Sequence, residues 1–140
     1  MPPNKDLSRI DEINQRLLPL LPGLLGMRVT EIAPDRVLAE LMVRPELCTA
    51  GGILHGGAYM AFADSIGAVA TVINLPPGTR TVTVESKTNF IGGAPVDTLV
   101  TGECTPFHRG RSTMVWQTVV RNAAGKTLAV VSQTQLVLPV

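Results

Sequence analysis

The chain has 140 residues, enough for one domain of ordinary size with a buried core. Its 12 basic and 11 acidic residues leave a net charge of +1, which excludes the one-signed field that grips a nucleic-acid backbone or an anionic membrane. Cys48 and Cys104 stand apart without CxxC spacing, which argues against a disulfide framework or zinc site and for two reduced, structural thiols.

The N-terminus, Met1-Pro2-Pro3-Asn4-Lys5-Asp6, lacks the basic-then-apolar layout of a secretion signal, so a cytoplasmic location is expected. Leu7, Ile10, Ile13, Leu17 and Leu21 then recur at helical spacing, with Arg9, Asp11, Glu12, Gln15 and Arg16 on the other face. That pattern predicts an amphipathic covering helix that stops near Pro22-Gly23. Two short strands, 28–32 and 37–43, follow as a hairpin turned by Ala33-Pro34-Asp35.

The next stretch carries the strongest signal. After Gly51-Gly52 and His55-Gly56-Gly57, residues 56–75 form an apolar run whose one charge is Asp64. The run is long enough to span a bilayer, but Asp64 would lie near its middle, no basic cluster flanks it, and Gly, Ala and Ser outnumber Leu and Phe. A helix buried inside a soluble fold fits better, and there a lone carboxylate costs free energy unless it is hydrogen-bonded, neutralised or kept for chemistry.

Beyond Pro76-Pro77-Gly78 the pattern turns to long alternating strands. In the first, Val82, Val84, Ser86, Thr88 and Phe90 share one face and Thr81, Thr83, Glu85, Lys87 and Asn89 the other. Strands at 96–104, 112–121 and 127–138 follow, joined by turn-sized links. Short links predict an antiparallel meander, because parallel pairing needs long crossovers. The expected architecture is α+β, a single domain over residues 1–140 in which a curved antiparallel sheet wraps the long helix and residues 1–22 form a helical cover.

No HExxH, Walker or dinucleotide fingerprint is present, and no GxSxG elbow, so neither a metal or nucleotide cofactor nor a serine hydrolase is indicated. If the long helix starts near Gly56, the free N–H groups of its first turn can hold a developing oxyanion, and Gly57 and Asp64 project from nearly one face. That stretch therefore offers an oxyanion partner and a carboxylate together.

Three ordered motifs, His55-Gly56-Gly57 with Ala63-Asp64, the segment from Thr81 to Phe90, and His108-Arg109-Gly110-Arg111-Ser112, resemble the hotdog-fold acyl-CoA thioesterases over about residues 22–138. The branch they resemble includes the phenylacetic-acid-degradation and hydroxybenzoyl-CoA thioesterases. The resemblance implies hydrolysis of an aryl- or medium-chain acyl-CoA with no cofactor, coenzyme A entering as part of the substrate. It implies that the Gly56 amide polarises the thioester carbonyl, with Gly57 beside it, while Asp64 acts as general base on water or as nucleophile through a mixed anhydride. Thr83 would orient the acid or the water from the partner subunit, and His55 would support the helix entrance. The resemblance further implies a homodimer or homotetramer with active sites between subunits, and Arg109, Arg111 and Ser112 as contacts for coenzyme A phosphates. Thr49 departs from the pattern, standing where relatives carry Asn or Gln as a second oxyanion contact.

Each of these residues also has a structural reading: His55 as a turn histidine, Asp64 as a bonded buried acid, Thr83 as a strand threonine, and the Arg109–Arg111 loop as a solvated surface. Two other functions stay open, a hotdog hydratase or dehydratase on acyl thioesters and a non-catalytic acyl-CoA binding module. Asp64 discriminates against the second, since a binder needs no acid beside the thioester carbon.

Overall fold

A computed structural model of the chain describes residues 5–140, so the reading of residues 1–4 lies outside the described residues. Helices α1 (Lys5–Leu17) and α2 (Leu21–Leu25) precede the hairpin β1 (Arg28–Ala33) and β2 (Arg36–Met42). The long helix α3 (Gly56–Val72) leads into β3 (Thr79–Phe90), β4 (Leu99–Arg109), β5 (Thr113–Asn122) and β6 (Thr127–Pro139). The six strands form one antiparallel sheet in the order β1-β2-β4-β5-β6-β3.

The predicted meander is corrected in one place. The tight links after β4 and β5 force hairpins, but residues 91–98 form a longer link that is bonded elsewhere, and β3 pairs with β6, not β4. In that link the Ala94 carbonyl accepts the Leu54 N–H, and the Thr98 carbonyl accepts the Val43 N–H. β3 is therefore an edge strand.

Proline sets two of the boundaries that the periodicity misplaced. The first helix ends at Leu17, ahead of Pro19, instead of running to Pro22, because a proline excludes the helical conformation in the residue before it. Pro22 then opens α2, which closes on Gly26 in the left-handed region (φ 81°), where Arg44 donates to the Leu24 and Leu25 carbonyls. β4 runs on to Arg109, past the predicted stop at Cys104, because Pro106 sits at a bulge where its missing N–H costs no ladder bond. α3 ends at Val72, short of Leu75: the Asn74 amide caps it by donating to the Ala70 carbonyl at 2.8 Å.

The core lies between the concave sheet and the inner face of α3. Phe62, Ile66 and Ala70 of the helix pack with Leu41, Val100, Cys104, Trp116 and Val120 of the strands. Gly102 leaves the space for this approach, since a Cβ there would fall 2.4 Å from Ile66 Cδ1. A polar seam crosses the interface at Thr71: Trp116 Nε1 donates to Thr71 Oγ1 at 2.8 Å, and that hydroxyl donates to the Gly67 carbonyl at 2.8 Å. Burial pushes the Cys104 thiol up to about 12, so it stays protonated as a packing group. α1 docks through Asn14, whose side chain exchanges two bonds with the Val29 backbone like one more strand on the β1 edge.

Candidate functional site

His55 opens α3 as its N-cap, and its ring Nδ1 accepts the Gly57 N–H at 2.8 Å. A nitrogen used that way is not available to take a proton from a reacting group, so His55 is a capping residue in this geometry. The Ala58 and Tyr59 amides bond back to the His55 carbonyl. That leaves the Gly56 N–H as the one amide of the first turn without a partner among the described residues, at the positive end of the helix. The Phe90 ring lies close enough that a Cβ on Gly56 would meet it at 3.1 Å.

Asp64 lies two turns further along, half-buried on the face of α3 turned towards α1 and α2. Thr83 Oγ1 donates to Asp64 Oδ1 at 2.8 Å, and Gln133 Nε2 donates to the same oxygen at 3.2 Å. Behind Thr83, Gln135 Nε2 donates to its hydroxyl at 2.7 Å, while Thr81 Oγ1 donates to Gln135 Oε1 at 2.9 Å. Both glutamines are fully buried.

Two corrections to the sequence reading follow. The Thr83–Asp64 pair forms within one chain, where a contact across a subunit boundary was expected. The two faces of β3 are also not continuous: a register shift between Thr83 and Glu85 puts Thr81 and Thr83 on the side of Ser86 and Thr88, while Val82 and Val84 are exposed. Gln133 and Gln135 were missed altogether. Their signal was two amides at alternate positions among Val131, Leu136 and Val137, a period that buries polar groups mid-sheet.

Gly67 makes room for this cluster, because a Cβ there would fall 2.3 Å from the Gln133 amide carbon. Gly67→Ala is therefore expected to displace that amide and lower stability by about 1–2 kcal/mol in urea denaturation, overpacking outweighing the gain in helix propensity. An unchanged midpoint would mean that Gln133 is held loosely.

Asp64 opens into a cleft of about 270 Å³ lined by Ile13, Leu17, Pro22, Ala68, Val69 and Val72, with Arg16 at its rim. Of the leucines 17, 18, 20 and 21, Leu17 lines this cleft, while the other three are exposed. Thr49 stands in the turn before α3, where its hydroxyl accepts the Gly51 N–H at 3.2 Å. The structure does not bring the basic loop to this place. Arg109 Nη1 donates to the Pro34 carbonyl at 3.0 Å and to Asn74 at 3.3 Å, beyond the far end of α3. Arg111 has no bonded partner among the described residues, and the Ser112 carbonyl accepts the Val137 N–H. These three line or flank a second hollow beside Asn74, about 15 Å of helix rise from Asp64.

Among the described residues no group of His, Cys, Asp and Glu is placed to hold a metal, and no helix is long and apolar enough to cross a membrane. A family model described as the thioesterase superfamily matches residues 51–129. The 1,4-dihydroxy-2-naphthoyl-CoA hydrolase of Escherichia coli is 32% identical over 104 residues, 74% of this chain and 76% of its own. A mutant thioesterase from Pseudomonas aeruginosa superposes with a TM-score of 0.89 at 25% identity, covering 100% of this chain and 97% of that one. A Haemophilus influenzae thioesterase superposes at 0.86 with 28% identity, covering 93% and 90%. With more than half of its length matched by the family model and a hotdog sheet wrapped around α3, the chain belongs to the thioesterase superfamily and is a thioester hydrolase.

Proposed function

We propose that the protein hydrolyses an aryl- or medium-chain acyl-CoA to the free acid and coenzyme A, with Asp64 as the working carboxylate. The observation that carries this reading is an Asp64 held by Thr83 and Gln133 at the wall of an apolar cleft. The naphthoyl-CoA substrate in the name of the Escherichia coli relative supports a bulky acyl group. The acyl group lies in the cleft under α1, and its carbonyl oxygen takes the Gly56 N–H. As Asp64 draws a proton from water, or attacks the carbonyl itself, negative charge moves onto that oxygen and the amide stabilises it. The tetrahedral intermediate then collapses with loss of the coenzyme A thiolate, a leaving group that needs little protonation because thiols ionise near 8.5. Attack by water leaves the free acid, whereas attack by Asp64 leaves a mixed anhydride that a water molecule cleaves to the free acid and the regenerated carboxylate. The uncommitted hydroxyl hydrogen of Thr49 supplies a second donor, and the guanidinium of Arg111, backed by Arg109 and Ser112, meets the coenzyme A phosphates.

The spacing within α3 favours a shared site. Gly56 and Asp64 are separated by about 12 Å of axial rise, too far for one thioester to touch both in a single chain. Two chains joined along the open edge of β3, where Val82 and Val84 are exposed, would set their α3 helices side by side. The Gly56 of one protomer then serves the Asp64 of its partner. A homodimer is the unit this reading requires, and a tetramer adds nothing to the chemistry.

The test is a thiol-release assay over aromatic and aliphatic acyl-CoA esters. Wild type is expected to prefer aryl or medium-chain esters to acetyl-CoA. Ala68→Phe, which fills the cleft, is expected to raise KM for the larger esters about tenfold, the cost of about two unburied methylenes, while leaving acetyl-CoA unaffected. No release from any ester rejects the reading, and an equal KM effect on every ester rejects the cleft as the acyl site.

A further inference from the structure

The geometry assigns Gln133 and Gln135 as positioning residues that divide the labour of the Asp64 carboxylate, fixing Oδ1 in place and leaving Oδ2 to act on the thioester. This inference rests on the proposed thioester hydrolysis and adds two groups to it that touch neither substrate nor water.

The argument turns on which groups can only accept. An ionised carboxylate has no hydrogen to give, so the 2.8 Å contact between Thr83 Oγ1 and Asp64 Oδ1 commits the single hydroxyl hydrogen of Thr83 to Asp64. Thr83 Oγ1 must then act as acceptor towards Gln135, which fixes the Gln135 amide with its nitrogen towards Thr83 and its oxygen towards the Thr81 hydroxyl. Donation therefore runs one way, from Thr81 to Gln135 to Thr83 to Asp64. Thr83 alone would be free to rotate its hydrogen towards any nearby acceptor. With Gln135 occupying its lone pair, it has one useful orientation.

Gln133 fixes the same oxygen from the other side. Its Nε2 faces two acceptors, Asp64 Oδ1 at 3.2 Å and the Asp64 backbone carbonyl at 3.4 Å, so its amide orientation is also determined. Its own Oε1 is buried without a hydrogen-bond partner. A buried amide with one unsatisfied end is a poor choice for stability alone, and valine or leucine would pack that position better. Retaining it makes physical sense for what the nitrogen does to Asp64. Oδ1 thus receives two donors, whereas Oδ2 has no partner among the described residues and the carboxylate opens to the cleft.

The experiment compares Gln133→Met and Gln135→Met with wild type in steady-state hydrolysis of the best acyl-CoA ester, alongside thermal unfolding. Methionine keeps the length and removes the donor. Both variants are expected to lose about ten- to a hundredfold in kcat, with KM within about twofold, since a lost hydrogen bond to a charged group shifts orientation and not substrate binding. Gln133→Met is expected to keep or raise Tm, because it also removes the unpartnered oxygen. A merely structural glutamine would lose Tm and kcat together. If Gln135→Met does not fold, Thr81→Val releases the same amide with less disturbance, and a several-fold fall in kcat at constant KM is expected. Unchanged kcat in the folded variants, or a fall in kcat matched by a fall in Tm for Gln133→Met, overturns the assignment. A wild type without thiol release on any ester instead overturns the underlying reaction, and with it this inference.

Discussion

Asp64→Asn is expected to lower kcat for acyl-CoA hydrolysis by about a hundred- to ten-thousandfold, the range for removing a general base. The asparagine carbonyl can still accept from Thr83 and Gln133, so the side chain stays seated and its amide nitrogen replaces Oδ2. Tm is therefore expected to move by no more than a few degrees. Thiol release under saturating substrate, with a melting curve on the same sample, makes the comparison. A variant as fast as wild type would make Asp64 a buried acid of the helix and nothing more. A variant slow only because KM has risen would move it from the chemistry to binding.

The largest stability effect is expected at Trp116, which is fully buried on β5 and donates to Thr71 of α3. Trp116→Ala removes the largest buried side chain and leaves the helix face without its strand partner. The expected loss is about 3–5 kcal/mol, which for a chain of this size lowers Tm by about 10–15 °C. Urea unfolding followed by circular dichroism reads it directly. A shift below about 3 °C would mean that the α3–sheet interface collapses to fill the gap. The two substitutions should separate cleanly, one affecting rate without stability and the other stability first.

Some of this was legible in the sequence because single residues broke a local pattern. Asp64 interrupts an apolar helix, His55-Gly56-Gly57 marks its start, and the Ala33-Pro34-Asp35 turn marks the first hairpin; the structure has each element where the pattern puts it. Other features depended on tertiary pairing that no local pattern encodes. The alternation of β3 read as a clean period of two, yet one bulge after Thr83 shifts that period, so Thr83, which bonds Asp64, shares a side with Ser86. The pairing of β3 with β6 is likewise set by where residues 91–98 are bonded and not by their number. Gln133 and Gln135 were visible as letters but had no meaning until the carboxylate lay opposite them. Arg109 adds a bond that composition did not show: its guanidinium donates to the Pro34 carbonyl and Asn74.

The position of β3 in the sheet carries one more consequence. The strand that holds the Asp64 carboxylate through Thr83 also has an outer edge with no strand beside it among the described residues. A strand paired on one side only has fewer bonds to break on local opening than one paired on both, and here each opening would also release the carboxylate. In the dimer proposed above, a partner on that edge would damp the fraying that lets Asp64 drift, so quaternary contact and a steady carboxylate would become one property of twelve residues of chain.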